Sequence, residues 1–413
     1  MTTSRINAAV LLLSCALCAD AQTESSPVKA FIGMTLIDGS SRPPIQNATI
    51  LVRDGRIAAV GASSIVAVPA GAERIALRGK TVIPGLVNAH GHVNAEADLR
   101  TYAAYGVTTV FSLGGEPQPV FDARAAQATP TLTRARVFLA GPVLNPGTTA
   151  EARQQVAENA ARKVDIIKIR VDDNLGTTPK MSPEIYGAVI DAAHKAGLRV
   201  ASHLFYLADA KGLLAAGTDF VAHSIRDLDV DNQVIAALKA RGVCYSPTLM
   251  REVSTFIYES TPEFFSDTFF LAHANPEWVA MMKDPVRQQS TRASASAQRY
   301  KIALEVANRN LKRLANAGIP IAMGTDTGPT GRFQGYFELM ELELMVKAGL
   351  TPKQVLAAAT RDAARCMKLD REVGTLEAGK WADFVALDAN PLTNISNVRR
   401  ISSVWIAGNR VPR

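Results

Sequence analysis

Cysteine is scarce in this chain, with four in 413 residues. Two of them, Cys15 and Cys18, sit close to the start, and the others, Cys244 and Cys366, stand far apart, so no disulfide framework is evident and both are expected as separate buried thiols. Long hydrophobic runs are equally rare. The single one, "INAAVLLLSCALCADAQ", opens the chain and is too short to cross a bilayer core of about 30 Å comfortably as a helix, which argues against a membrane span. Charge is not concentrated either. A net charge of +7 and a pI near 9.2 would suit an acidic partner, but Lys and Arg are spread along the chain and "SNVRR" is the nearest thing to a patch. That pattern describes a solvated basic surface and argues against nucleic-acid binding. No internal repeat is visible beyond the alternation of strands and helices described below.

The opening run has the features of an export signal. Arg5 supplies the positive end, an apolar stretch follows, and Ala19-Asp20-Ala21 fits a small-x-small cleavage pattern, so residues 1–21 are expected to be a signal peptide. The competing expectation is a lipid anchor at Cys15, because "LLLSC" partly resembles a lipid-attachment box, although Leu13 fits poorly there. Either way the protein is expected outside the cytoplasm, periplasmic or secreted, and cysteine usage adds nothing to that expectation.

After the leader, short β-type runs such as "VKAFIGMTLID" and "ATILVRDGRIAAVG" occupy the chain up to residue 79, with Asp54-Gly55 as a hairpin signal. Runs of the same character, "ADFVALD" and "ISSVWIAGNRV", return in residues 367–413. Neither end has enough apolar strand for its own core, so the two are expected to meet in one small β-sandwich. Between them, in residues 80–366, eight β-candidates follow in order: "TVIPGLVNAHGH", "VTTVFSLG", "RVFLAG", "VDIIKIRV", "LRVASHLF", "DFVAHSI", "VCYSPTL" and "IPIAMGTDT". Helical patterns such as "SPEIYGAVIDAAHKAG" and "FELMELELMVKAG" separate several of them. This α/β alternation predicts a (β/α)8 TIM barrel, with an open doubly wound sheet as the alternative. Residues 250 to 310 interrupt the rhythm with Phe256, Tyr258, Phe264, Phe265, Phe269, Phe270 and Trp278. These aromatics either anchor extra helices on the outside of the barrel or form a lid that gives the substrate pocket an apolar wall.

Barrel enzymes carry their chemistry at the C-terminal ends of the strands. There this sequence places His90 and His92 (first strand), Lys168 (fourth), His203 (fifth), His223 (sixth) and Asp326 (eighth). His194 falls on a helix before the fifth strand and is expected to be structural at the opposite end, and His273 belongs to the aromatic excursion as surface or lid. One histidine or one aspartate at a strand end signifies little. Five imidazole and carboxylate groups converging on one mouth are costly to desolvate together without a cation. Lys168 is the oddity, since a charged ammonium cannot be a metal ligand, and by spacing alone it would pair with Asp172 or Asp173.

The motifs "GKTVIPGLVNAHGH", "IIKI", "ASH", "VAHS", "GTDT" and "VGTLEAGKWADFVALD" together resemble the metal-dependent amidohydrolase superfamily, over nearly the whole chain after the leader, and most closely its imidazolonepropionase-like and prolidase-like branch. Exported members of that branch include dipeptidases and ochratoxin-type amidases. The resemblance implies two divalent ions, zinc foremost, with manganese or cobalt as alternatives. His90, His92 and Asp326 would hold the more buried ion and His203 and His223 the more exposed one, with Lys168, carbamylated by CO2, bridging them. It implies hydrolysis of an amide or peptide-like C–N bond by a hydroxide bridging the metals, with Asp326 as general acid and base. Two departures bear on the substrate. Arg170, Asp172 and Asp173 follow the lysine where the dipeptidases have a small Gly-rich loop, and Phe205 and Tyr206 follow His203 where a second histidine is common.

Candidate contacts to a small-molecule substrate are Arg170, Tyr206, Arg251 and Arg332, an arginine being suited to clamp a carboxylate. Two other readings compete with the binuclear hydrolase. A mononuclear deaminase on the same barrel would need the histidines and the aspartate without a modified lysine, and a catalytically silent scaffold would normally have lost ligands. The sequence leaves open whether the chain forms a homo-oligomer.

Overall fold

The structure, a computed structural model, describes residues 28–412. The leader, its cleavage point and Cys15 therefore lie outside the described residues. The two ends of the described chain build one sheet. β1 (Lys29–Leu36) pairs antiparallel with β2 (Ile45–Arg53), and β2 pairs with β3 (Arg56–Ala62) across Asp54-Gly55. Asp54 and Gly55 have φ of 51° and 75°, the doubly left-handed backbone that matches strand twist in a tight hairpin. On its other edge β1 branches, its first half pairing with β4 (Glu73–Ala76) and its end with β5 (Thr81–Pro84). β5 then receives the C-terminal strands, with β13 (Phe384–Leu387) beside it, followed by β14 (Ile401–Ile406) and β15 (Asn409–Arg410). The branch lets the sheet wrap a core of its own, in which Phe31 meets Phe384 and Trp405 edge-on at 4.9 and 4.7 Å. This is the expected composite β-sandwich.

The first barrel candidate divides in two. Thr81–Pro84 stays in the terminal sheet, and the barrel strand is β6 (Leu86–Gly91). The chain crosses over at Gly85, where a Cβ would lie 2.0 Å from Thr108 Oγ1, so only glycine fits. Parallel strands follow in two runs, β6 with β7 (Val107–Ser112) and β8 (Arg136–Leu139), then β9 (Ile167–Arg170), β10 (Val200–His203), β11 (Phe220–Ala222) and β12 (Cys244–Ser246). The eighth member, residues 320–327, closes the ring through isolated bridges, Ile321 to Tyr245 and Thr327 to Gly91, and Leu144 to Ile169 joins the two runs. The fold is a (β/α)8 barrel.

Alternation along the strands decides which side chains enter it. Ile167 and Ile169 pack outward against helices, whereas Ile166 packs inward with Val87, Ala89, Phe111, Ala201, Phe220, Ala222 and Ala322. Lys168 shares that inward side. The foot of the barrel is filled by the helix Arg361–Cys366, whose Ala363, Ala364 and Cys366 join the interior cluster. Here the structure corrects the sequence. Cys244 and Cys366 are not separate thiols but a disulfide with Cα atoms 5.8 Å apart, linking the start of β12 to the plugging helix.

The aromatic excursion runs through short turns and helices to the long helix Ala295–Asn316. Its rings do not wall the pocket. Phe265 and Phe270 pack on Phe333, and Phe264 packs on Tyr336 and Phe337, so the segment is fastened to the loop and helix that follow the eighth strand. His273 lies against Tyr105 in the same cluster. His194 sits on the helix Pro183–Lys195 at the foot side, paired with Asp219 at 2.9 Å.

Candidate metal centre

At the mouth, a cavity of about 210 Å³ is lined by His90, His92, Lys168, His203, His223 and Asp326, together with Arg170, Arg251 and Arg332. A larger apolar cavity of about 500 Å³ lies between the terminal sheet and the barrel foot, lined by residues such as Ile37, Ile83 and Leu356, remote from this chemistry. Asp326 is the hub of the mouth. Its Oδ1 lies 2.9 Å from His92 Nε2 and 3.3 Å from His90 Nε2, and its Oδ2 is held by Arg332. Lys168 Nζ is 3.3 Å from His90 Nε2 and pairs with neither Asp172 nor Asp173. Ligand atoms of His90, His223 and Asp326 all fall within 4.8 Å of one another. His223 thus joins two residues that the resemblance assigned to the other ion.

Several of the imidazoles have one nitrogen engaged away from the centre. His92 Nδ1 donates to Gly114 O at 3.1 Å, His223 Nδ1 meets Thr248 Oγ1 at 2.9 Å, and His203 Nε2 meets Asp172 Oδ2. Such outer partners fix the tautomer and leave the second nitrogen as a lone-pair donor. Burial, Lys168 and neighbouring imidazole charge bring His90 down to about 3, and burial brings His203 to about 3 against the pull of Asp172. Burial also drives His223 well below its usual value. These rings are neutral at physiological pH, the state a metal ligand requires. Burial alone would raise Asp326, but the charge of Arg332 and hydrogen bonds from His90 and His92 hold it well below the carboxylate range. Burial lowers Lys168 to about 7, opposed by Asp326. Neutral imidazoles, an ionised carboxylate and the unpartnered buried His90 Nδ1 form a donor set that fits divalent cations.

Backbone strain collects at the same place. His223, Thr248 and Asp326 have φ of 79°, 47° and 60°, a region that non-glycine residues seldom occupy. What holds Asp326 in it is a carboxylate the sequence reading missed. Glu338, fully buried on the helix Tyr336–Lys347, accepts from Thr325 Oγ1 at 2.6 Å, Thr327 Oγ1 at 2.5 Å and Asn88 Nδ2 at 2.7 Å, while Asn88 Oδ1 accepts from His90 N at 2.9 Å. One acid thereby ties both neighbours of Asp326 to the first strand. The available signal was a glutamate on the apolar face of "FELMELELMVKAG".

The four candidate substrate residues separate. Arg251 is buried, with Nη1 on Glu252 at 3.1 Å and its guanidinium over Tyr300, and Arg332 sits on Asp326. Arg170 is half-exposed and bonds Asp172. Tyr206 does not reach the cavity; its hydroxyl donates to Asp173 at 2.8 Å and Lys180 lies over its ring.

Comparison with known proteins settles the class. A profile of the amidohydrolase family matches residues 81–411. The chain belongs to the amidohydrolase family. It is therefore a hydrolase. It is 27% identical over 372 residues to an imidazolonepropionase of Mycolicibacterium smegmatis, covering 86% of this chain and 87% of that one. It is 25% identical over 281 residues to an Aspergillus niger ochratoxinase, 65% of this chain and 51% of the relative. Among solved structures, a candidate prolidase from Bifidobacterium longum superposes with a TM-score of 0.78 at 27% identity, covering 94% and 95% of the two chains.

Proposed function

We propose that this amidohydrolase is exported, holds two divalent ions and cleaves an amide or peptide-like C–N bond in a small substrate bearing a carboxylate. The observation that carries the reading is the convergence of four neutral or outwardly engaged imidazoles, one ionised aspartate and one lysine on a single cavity. The similarity to an imidazolonepropionase, an ochratoxinase and a candidate prolidase supports the bond type. His90, His92 and Asp326 would hold the inner ion, and His203 and His223 the outer one. An amine brought down to about 7 is in good part uncharged at neutral pH, the form that adds to carbon dioxide, so Lys168 is suited to become the bridging carbamate. That change replaces an amine at the centre with a negative group. Zinc suits imidazole and carboxylate ligands.

When bound, such ions supply Lewis acidity that activates water and polarises a carbonyl. Asp326, held ionised and oriented by His90, His92 and Arg332, takes up the proton released and returns it to the leaving nitrogen. Arg251 and Arg332 line the cavity with guanidinium groups and favour a carboxylate on the substrate. Export is supported by the disulfide, a bond that persists in oxidising compartments.

A single-ion reading, which includes the deaminase, is favoured by one observation. The tight trio His90, His223 and Asp326 forms without His203, whose Nε2 is engaged by Asp172. Metal analysis of purified protein separates the two. Two ions per chain, falling to one or fewer in Lys168→Ala, support the binuclear reading, and one ion unaffected by that change supports the other. A panel of N-acyl amino acids, dipeptides and cyclic amides then identifies the substrate.

A further inference from the structure

Asp172 stands four residues after Lys168, in the loop that follows β9. Its Oδ2 meets His203 Nε2, while its Oδ1 accepts from Arg170 Nε at 3.2 Å, Arg170 Nη2 at 3.0 Å and Asn174 N at 2.9 Å. Val171 N donates to His203 O at 2.9 Å, which ties the end of β9 to the end of β10. The Asp172 side chain is 3% exposed. Both oxygens of the carboxylate are thus held in place. An imidazole facing such a carboxylate through Nε2 keeps its proton there and leaves Nδ1 as its lone-pair donor. His203 lines the cavity with its ring 4.2 Å from that of His223, the other histidine of the outer pair.

We infer that Asp172 is a positioning residue for the outer ion. Through His203 it selects the Nδ1-donating tautomer, fixes the ring and raises its basicity. The segment 168–172 then serves the centre twice, with the bridging lysine at one end and the orienter of an outer ligand at the other. Arg170 acts on the same carboxylate by neutralising and steering Oδ1. The inference rests on the two-ion reading above.

The test is titration of the metal-free full-length protein with Co(II), reading the affinity and visible absorption of each equivalent. In Asp172→Ala the second equivalent should weaken by about 10–100-fold and change its absorption, while the first equivalent and the unfolding temperature of the metal-free chain stay as in wild type. Asp172→Asn, whose amide oxygen still accepts from Nε2–H, should recover most of the affinity. Arg170→Ala, a milder change, should weaken the second equivalent a few-fold. Wild-type affinity for two equivalents in Asp172→Ala overturns the inference and leaves the two-ion reading standing. Equal weakening of both equivalents with a lowered unfolding temperature also overturns it, since Asp172 would then be general support. A wild-type chain that takes one equivalent overturns the two-ion reading itself, and the outer-ion role with it.

Discussion

The mouth and the foot of the barrel both join residues far apart in sequence, but to opposite ends. At the foot the thiols and the buried charges are paired. Cys244 is bonded to Cys366, Arg136 meets Asp383 at 2.9 Å and stacks on Trp381, and alanines fill the remaining space. At the mouth, neutral imidazoles crowd an ionised aspartate, His90 Nδ1 has no partner, and His223, Thr248 and Asp326 hold strained backbone. The strand β12 carries both, with Cys244 at its base and Thr248 just past its tip. Stability and chemistry are therefore separable along one strand, and each can be altered alone.

The sharpest separation should come from Asp326→Asn. Hydrolysis, read as kcat/KM on whichever substrate the panel identifies, should fall by about 10³-fold or more, with no drop in unfolding temperature, because the change removes the hub of the mouth and nothing at the foot. Replacing Cys244 and Cys366 together by alanine should do the reverse. The bridge spans 122 residues, so its loss should cost about 5 kcal/mol and lower the melting temperature by about 6 °C, while kcat/KM stays within about two-fold. Loss of activity in the folded double variant would show that the two ends are coupled.

Glu341, which supports the mouth from behind by accepting from Leu249 N and Met250 N, gives the smallest effect. Burial raises its pKa from 4.5 to about 8, against those hydrogen bonds. The fold therefore prefers its protonated form. Its contribution to stability is complete below pH 4.5 and is lost as pH rises through about 8. Denaturant midpoints measured across that window should decline in wild type and decline less in Glu341→Gln; identical slopes would show that Glu341 is ionised in the fold.

The polar residues of the mouth were legible because a period of two and the order of strands suffice to put strand-end side chains on one rim. The composite sheet was legible from matching β-type runs at the two ends. Other features were not. The split of "TVIPGLVNAHGH" at Gly85 is hidden in one continuous apolar run, and only the close approach of Thr108 reveals it. The disulfide joins a strand to a helix brought together by barrel closure, so spacing carries no trace of it. The partnership of Asp172 with His203 depends on the loop turning across to β10 instead of back toward Lys168. Tyr206, three residues past a mouth histidine, turns to Asp173, because it stands where the chain already enters the helix Leu207–Ala216.

The order of the terminal sheet has a consequence for how the chain is made. β5, which leads directly into the first barrel strand, is flanked by β1 and by β13, and β13 is separated from it by nearly the entire barrel. A growing polypeptide can assemble its hairpins and its β/α units, yet one edge of β5 stays open until residues 384–387 have been made. The sheet can therefore close only after the barrel between its two parts has been synthesised, and a product cut short before Phe384 would present that open edge to other chains.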